Sequence, residues 1–163
     1  MTSQPSLRYG FAYARDLLAK LHRDHNSLSE AIASQCKERI ADSIFNFCVT
    51  GHSIKDWVKD EDSSLCSIVE QLITDTPELA ACADISNSSK HKTLSRRIQS
   101  GSTGIMSDSE LTCDMTTILA SSTIPITGFT VRIFFEDGTQ MEILDLADFV
   151  YKTWKTFLTN NNL

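Results

Sequence analysis

One stretch restricts the possible folds of this 163-residue chain more than any other. Between Leu28 and Asp60, apolar residues recur at steps of three and four: Ile32, Cys36, Ile40, Ile44, Phe47, Gly51, Ile54 and Val58. That period is helical and predicts one long helix over about 28–60. From Ile44 onward a second apolar face joins the first through Phe45, Cys48, Val49 and Trp57. A helix apolar over most of its circumference belongs at the centre of a bundle. Asn46, Thr50, His52 and Asp56 sit on the same helix, and polar groups in such a place need partners. Thr50-Gly51 marks a kink or a close helix contact.

The rest of the chain arranges itself around that helix. Leu7, Phe11, Ala14, Leu18 and Leu21 predict a first helix from Ser6 to about His25, with Asn26-Ser27 as stop and restart. A charged run, KDEDSS, closes the long helix. Leu65, Ile68, Val69, Leu72 and Ile73 predict a third helix over 64–74. Thr76-Pro77-Glu78 is a strong restart, with Pro at the first helical position and Glu in the first turn. The fourth helix then runs to about Asn87.

Periodicity changes in the second half. Residues 93–98 and 111–120 read as strands. Phe129, Val131, Ile133 and Phe135 alternate with Thr130, Arg132, Phe134 and Glu136. Asp137-Gly138 is a two-residue turn, and Met141 and Ile143 answer on the return strand. Asp145 is the predicted cap of a last helix, with Leu146, Phe149, Val150, Thr153 and Phe157 on one face and Trp154 flanking it. The fold class is α+β: a bundle of about four helices, a small antiparallel sheet, and a C-terminal helix closing on it. The expected organisation is one domain over 1–163, with helices in 1–92, a β-rich part in 93–144 and the closing helix in 145–160.

Composition narrows the functional classes. The net charge of -6 argues against broad, non-specific nucleic-acid binding. Residues 1–99 carry 12 Lys/Arg against 13 Asp/Glu, and residues 100–163 carry 3 against 8. Cys36, Cys48, Cys66, Cys82 and Cys113 are odd in number and scattered, which fits buried free thiols rather than a disulfide framework or a zinc site. No apolar run reaches the ~18 residues of a membrane span. The N-terminus lacks the pattern of a signal peptide. The expectation is a cytoplasmic protein without cofactor or metal.

Three groups of residues can carry chemistry. The first is the basic stretch Asp84–Arg97. It holds Asp84, Asn87, Lys90 and His91, followed by Lys92, Arg96 and Arg97, and there is no Asp or Glu from Ile85 to Ser107. Histidine can move a proton near neutral pH, and lysine or arginine can hold a phosphate. A solvated loop is the plain alternative. The second is His52 with Asp56, one helical turn apart: a base oriented by a carboxylate, or a structural pair. The third is Arg15-Asp16 followed by His22. This is the pattern of a metal-independent ribonuclease centre, in which His activates a 2′-OH and Arg stabilises the developing charge; it is also what an ordinary helix face carries by chance.

The segments FNFCVTGHSIKDWVKD (Phe45 to Asp60) and CADISNSSKH (Cys82 to His91) resemble those of uncharacterised bacterial and phage proteins with a HEPN-like helical part. The resemblance covers about residues 40–92, through Asn46, Thr50, His52, Asp56 and Trp57 and then Asp84, Ile85, Asn87, Lys90 and His91. It implies a four- to five-helix bundle, RNA as ligand or substrate, a homodimer, and a setting in phage defence, toxin–antitoxin action or stress response. HEPN ribonucleases use an Arg and a His separated by four to six residues. His91 lacks such an Arg, and the pair that satisfies the spacing is Arg15 and His22. The resemblance implies His91 as base and Lys90 as phosphate contact, with Asn87, Asp84, His52 and Asp56 positioning them and Lys92, Arg96 and Arg97 binding substrate. A non-catalytic module that docks a partner protein through the acidic second half is the alternative.

Overall fold

The computed structural model describes residues 10–88, 113–114, 130–135 and 138–163. Five helices are found among them: α1 (Ala14–Ser34), α2 (Lys37–Glu61), α3 (Cys66–Asp75), α4 (Pro77–Ser88) and α5 (Ile143–Asn160). A single 3₁₀ turn, Ser63–Leu65, precedes α3. Three short strands, β1 (Cys113–Asp114), β2 (Thr130–Phe134) and β3 (Gln140–Glu142), form an antiparallel sheet in the order β1-β2-β3. The architecture is α+β, as the two periodicities predict.

The break between the first two helices falls nine residues later than Asn26-Ser27 suggests. Leu28 and Ala31 continue the buried stripe of Leu17 and Leu21, while Asn26 and Ser27 face solvent. Each costs a helix interior only a few tenths of a kcal/mol, roughly, so burial of the flanking apolar residues decides. The real joint is Gln35, which adopts a left-handed φ of 54° and donates its N–H to Ile32 O at 3.0 Å. A non-glycine residue there costs roughly 1–2 kcal/mol. Cys36 is the extended N-cap of α2. Ile32 therefore belongs to α1, and Cys36 to the joint, not to the stripe of the long helix.

Asp16 defines the start of α1. Its Oδ2 accepts from the N–H groups of Ala12 at 2.7 Å and Tyr13 at 2.9 Å, which fixes the chain as it enters the helix. These two bonds, Ala12 foremost, hold its carboxyl below the usual carboxylate range. Glu61, the last residue of α2, accepts from the N–H of Ala14, so the beginning of α1 meets the end of α2. The two helices thus form an antiparallel pair.

Helix α2 is the hub and packs against α1, α3, α4 and α5. Ile40, Ile44, Phe47, Cys48, Ile54 and Val58 are its buried set. It is not apolar all round. Phe45 is 44% exposed, and Val49 and Trp57 are half-buried. A Cβ on Gly51 would lie 3.5 Å from Val150 Cγ1 and 3.6 Å from Leu21 Cδ1, so α1, α2 and α5 converge there. In α3 the inward face is Val69 and Ile73, whereas Ile68 is 52% exposed. In α4 every residue from Leu79 to Asp84 is buried. Its alanines leave room for close packing on α2 and α3.

The hairpin joins sheet to bundle. Val131, Ile133 and Phe135 are buried, and Ile133 pairs with Met141. The turn is one residue longer than a two-residue Asp-Gly turn. Phe135 donates its N–H to Thr139 O and accepts from Gly138 N–H, both at 2.9 Å, which leaves three residues between the closing pair. Gly138 has φ 83°, the left-handed conformation this longer turn needs. Glu142 ends β3 and is at once the N-cap of α5. The helix thus starts at Ile143, and Asp145 lies inside its first turn rather than capping it. Its buried face is Ile143, Leu146, Ala147, Val150, Trp154, Phe157 and Leu158. Trp154 sits at the centre of this face and is fully buried, while Phe149 is 42% exposed.

Candidate functional site

The exposed face of α1 places two expected residues together. Arg15 and His22 both lie in solvent, seven positions apart. At 1.5 Å per residue that is about 10 Å along the helix, roughly two turns, so both point from the same side. Each is held by a tyrosine. The Arg15 guanidinium lies over the ring of Tyr13, with Cζ 4.4 Å from its centroid. His22 rests on Tyr151 of α5, with centroids 5.2 Å apart and ring planes at 39°. Asp16 does not orient His22, because its Oδ2 is occupied by the Ala12 and Tyr13 amides. The face presents a fixed cation, an imidazole and two aromatic rings, a set suited to a phosphate and an unstacked base.

On α2, His52 is half-buried and Asp56 is exposed. No hydrogen bond or ion pair between them is found among the described residues. Asp56 acts electrostatically on Lys59. His52 instead adds to the positive field at Glu70 of α3, where Lys59 makes a short hydrogen bond and Lys55 Nζ stands 3.9 Å away. Lys59 foremost holds the Glu70 carboxyl below its usual range, and Glu70 in turn raises Lys59. Sequence reasoning gave no role to Glu70; its signal is an acid on α3 facing a His-x-x-Lys-x-x-x-Lys stripe on α2.

On α4, Asp84 is 5% exposed and Ser86 2%, while Asn87 is half-buried. The helix that carries Asp84 and Asn87 packs on the helix that carries His52, as a shared site requires. Lys90, His91, Lys92, Arg96 and Arg97 lie outside the described residues, as do the expected strand at 93–98 and most of that at 111–120. The described bundle, residues 10–88, holds thirteen Asp/Glu against seven Lys/Arg. Its surface is therefore acidic, and a polyanion has few cations to approach there.

Two further polar features went unread in the sequence. Lys20 Nζ donates to Asp24 Oδ2 at 2.6 Å and to Thr50 Oγ1 at 2.8 Å, and Thr50 Oγ1 donates to Asp24 Oδ2 at 2.5 Å. This closed triangle spans α1 and α2 and explains the polar Thr50 in a buried stripe. The second is Cys82. Its neighbour Cys48 first, and full burial second, push its thiol well above the ordinary range. It stays protonated and unreactive, which agrees with buried free thiols. Among the described residues no three His, Cys, Asp or Glu side chains come together as metal ligands, and no helix is long and apolar enough to cross a membrane. Compared with protein-family models, curated proteins and solved structures, the chain matches none.

Proposed function

We propose that the chain is a HEPN-like helical protein that binds or cuts RNA through the exposed face of α1. The observation behind this reading is the pairing of Arg15 and His22 on one solvent face, each backed by a tyrosine ring. In the cutting reaction His22 takes the proton of a ribose 2′-OH, the 2′-oxygen attacks the adjacent phosphorus, and the P–O5′ bond breaks to leave a 2′,3′-cyclic phosphate, the 5′-oxygen taking a proton from water. Arg15 stabilises the extra negative charge on the phosphoryl oxygens. A twofold dimer would bring two such faces together. Lys90 and His91, with Lys92, Arg96 and Arg97, supply a second basic contact that follows directly on α4, and His91 is the competing choice of base. The acidic bundle makes affinity depend on stacking more than on phosphate contacts, so salt dependence is shallow.

The test incubates purified protein with mixed cellular RNA beside Arg15→Ala, His22→Ala and His91→Ala. Cleavage lost in the first two and kept in the third supports α1. Cleavage lost only with His91→Ala moves the base to the basic stretch. With neither binding nor cleavage, the reading falls, and the non-catalytic interaction module stands in its place. That second reading is favoured by the engagement of polar residues within the bundle: Thr50 in its triangle, Asp84 in the core, and His52 beside the ion pairs of Glu70.

A further inference from the structure

A cleft borders the last strand of the sheet where it meets α5. Among the described residues β3 is the end strand in the order β1-β2-β3. A shallow cleft of about 420 Å³ lies on the hairpin face, lined by Arg132 of β2, by Gln140, Met141 and Glu142 of β3, and by Asp145 of α5. Antiparallel pairs alternate between hydrogen-bonded and non-bonded. Phe135 and Thr139 are a bonded pair. Ile133 and Met141, two steps on, are therefore bonded as well. Gln140, opposite Phe134, and Glu142, opposite Arg132, fall in the non-bonded positions. The main-chain groups of Gln140 and the N–H of Glu142 then face away from β2, and both residues are exposed. An open edge of this kind takes up another strand.

The charge at the edge selects the occupant. Glu142 and Asp145 are exposed carboxylates on the cleft. Arg132 Nη2 stands 3.8 Å from Glu142 Oε1, which only partly offsets that charge, and among the described residues Asp145 has no cation at ion-pair distance. Met141, between Gln140 and Glu142, turns to the opposite face, where it pairs with Ile133 and packs on the core. Side chains two apart along a strand share a face, so alternating basic residues on an added strand reach both carboxylates together.

We infer that β3 and the start of α5 form a docking edge for an extended, basic segment of a partner protein, which adds as a strand beside Gln140 and Glu142. This inference is independent of the RNA reading. It is tested by fluorescence anisotropy with the full chain and an end-blocked, labelled Arg-Val-Arg-Val-Arg-Val peptide. Three comparisons accompany it: the same peptide with Glu in place of Arg, the same peptide N-methylated at alternate amides, and the Glu142→Lys/Asp145→Lys protein with its fold checked by circular dichroism. The expected result is saturable binding of the basic peptide, weakened at least tenfold by N-methylation and by the double charge reversal, and absent for the acidic peptide. No saturable binding at millimolar peptide overturns the inference. So does equal binding of the acidic peptide or of the N-methylated one, since either removes strand addition or charge selection.

Discussion

Thr50 Oγ1 donates to Asp24 Oδ2 at 2.5 Å across the seam between α1 and α2, while its lone pair accepts from Lys20. The hydroxyl is the one group in the triangle that can do both. Thr50→Val keeps the shape and removes donor and acceptor together, leaving Asp24 and Lys20, both partly buried, short of a partner. The expected loss is about 1–3 kcal/mol of unfolding free energy by urea titration. Thr50→Ser should recover most of it. Equal stability of Val and wild type would mean the triangle contributes nothing net.

Gly51 lies where three helices converge, yet the space beside it accepts a methyl group. The distances of 3.5 and 3.6 Å to Val150 and Leu21 are ordinary contact. Gly51→Ala is therefore expected to stabilise by about 0.5–1 kcal/mol, through helix propensity alone. Gly51→Leu should cost about 1–3 kcal/mol by overpacking. Thermal melts of the two variants check the opposite signs.

Trp154 is fully buried, and its Nε1–H finds no acceptor among the described residues. An orphan donor of this kind carries its own desolvation cost. Trp154→Phe removes that donor while keeping an aromatic ring against Phe157, whose centroid lies 5.9 Å away. It is expected to cost far less than Trp154→Ala, which should lose about 3–5 kcal/mol. Chemical denaturation of the pair gives the comparison, and similar losses would show that the volume of the indole, not its N–H, dominates.

The Lys59–Glu70 pair gives a defined pH window. The folded-state pKa of Glu70 is depressed, so its contribution is present above the unfolded carboxylate range, near ~4.3, and fades as pH falls through the lower folded value. Lys59 is raised, so its contribution is present below ~10.4 and fades as pH climbs through the higher folded value. Glu70 is largely exposed, which limits the pair to less than about 1 kcal/mol. The difference in urea midpoint between wild type and Glu70→Gln is expected to be flat from about pH 6 to 9 and to shrink on acidification below about pH 4.

The sequence reveals helices more readily than their neighbours. The period from Ile40 to Val58 places α2 and most of its buried face, and Thr76-Pro77-Glu78 fixes the start of α4. It misplaces Phe45, Ile68 and Phe149, all apolar and all exposed, because local spacing does not say where a covering helix stops. It also misplaces the α1–α2 joint, because Gln35 carries no glycine or proline signal for its left-handed turn. At the site, two residues seven apart on one helix are legible, since helical geometry alone brings Arg15 and His22 to one face. The influence of His52 on Glu70 is not legible, because it depends on how α3 lies against α2. His52 and Asp56 satisfy the local rule and still do not pair.

Glu142 belongs to two elements at once, the last residue of β3 and the N-cap of α5, with no hinge between them. Strand and helix therefore meet with no residue between them. The helix has 18 residues and extends about 27 Å, running from the sheet to the tryptophan core and past Tyr151, on which His22 rests. One unbroken stretch of chain thus links the three residues of β3 to the surface of α1.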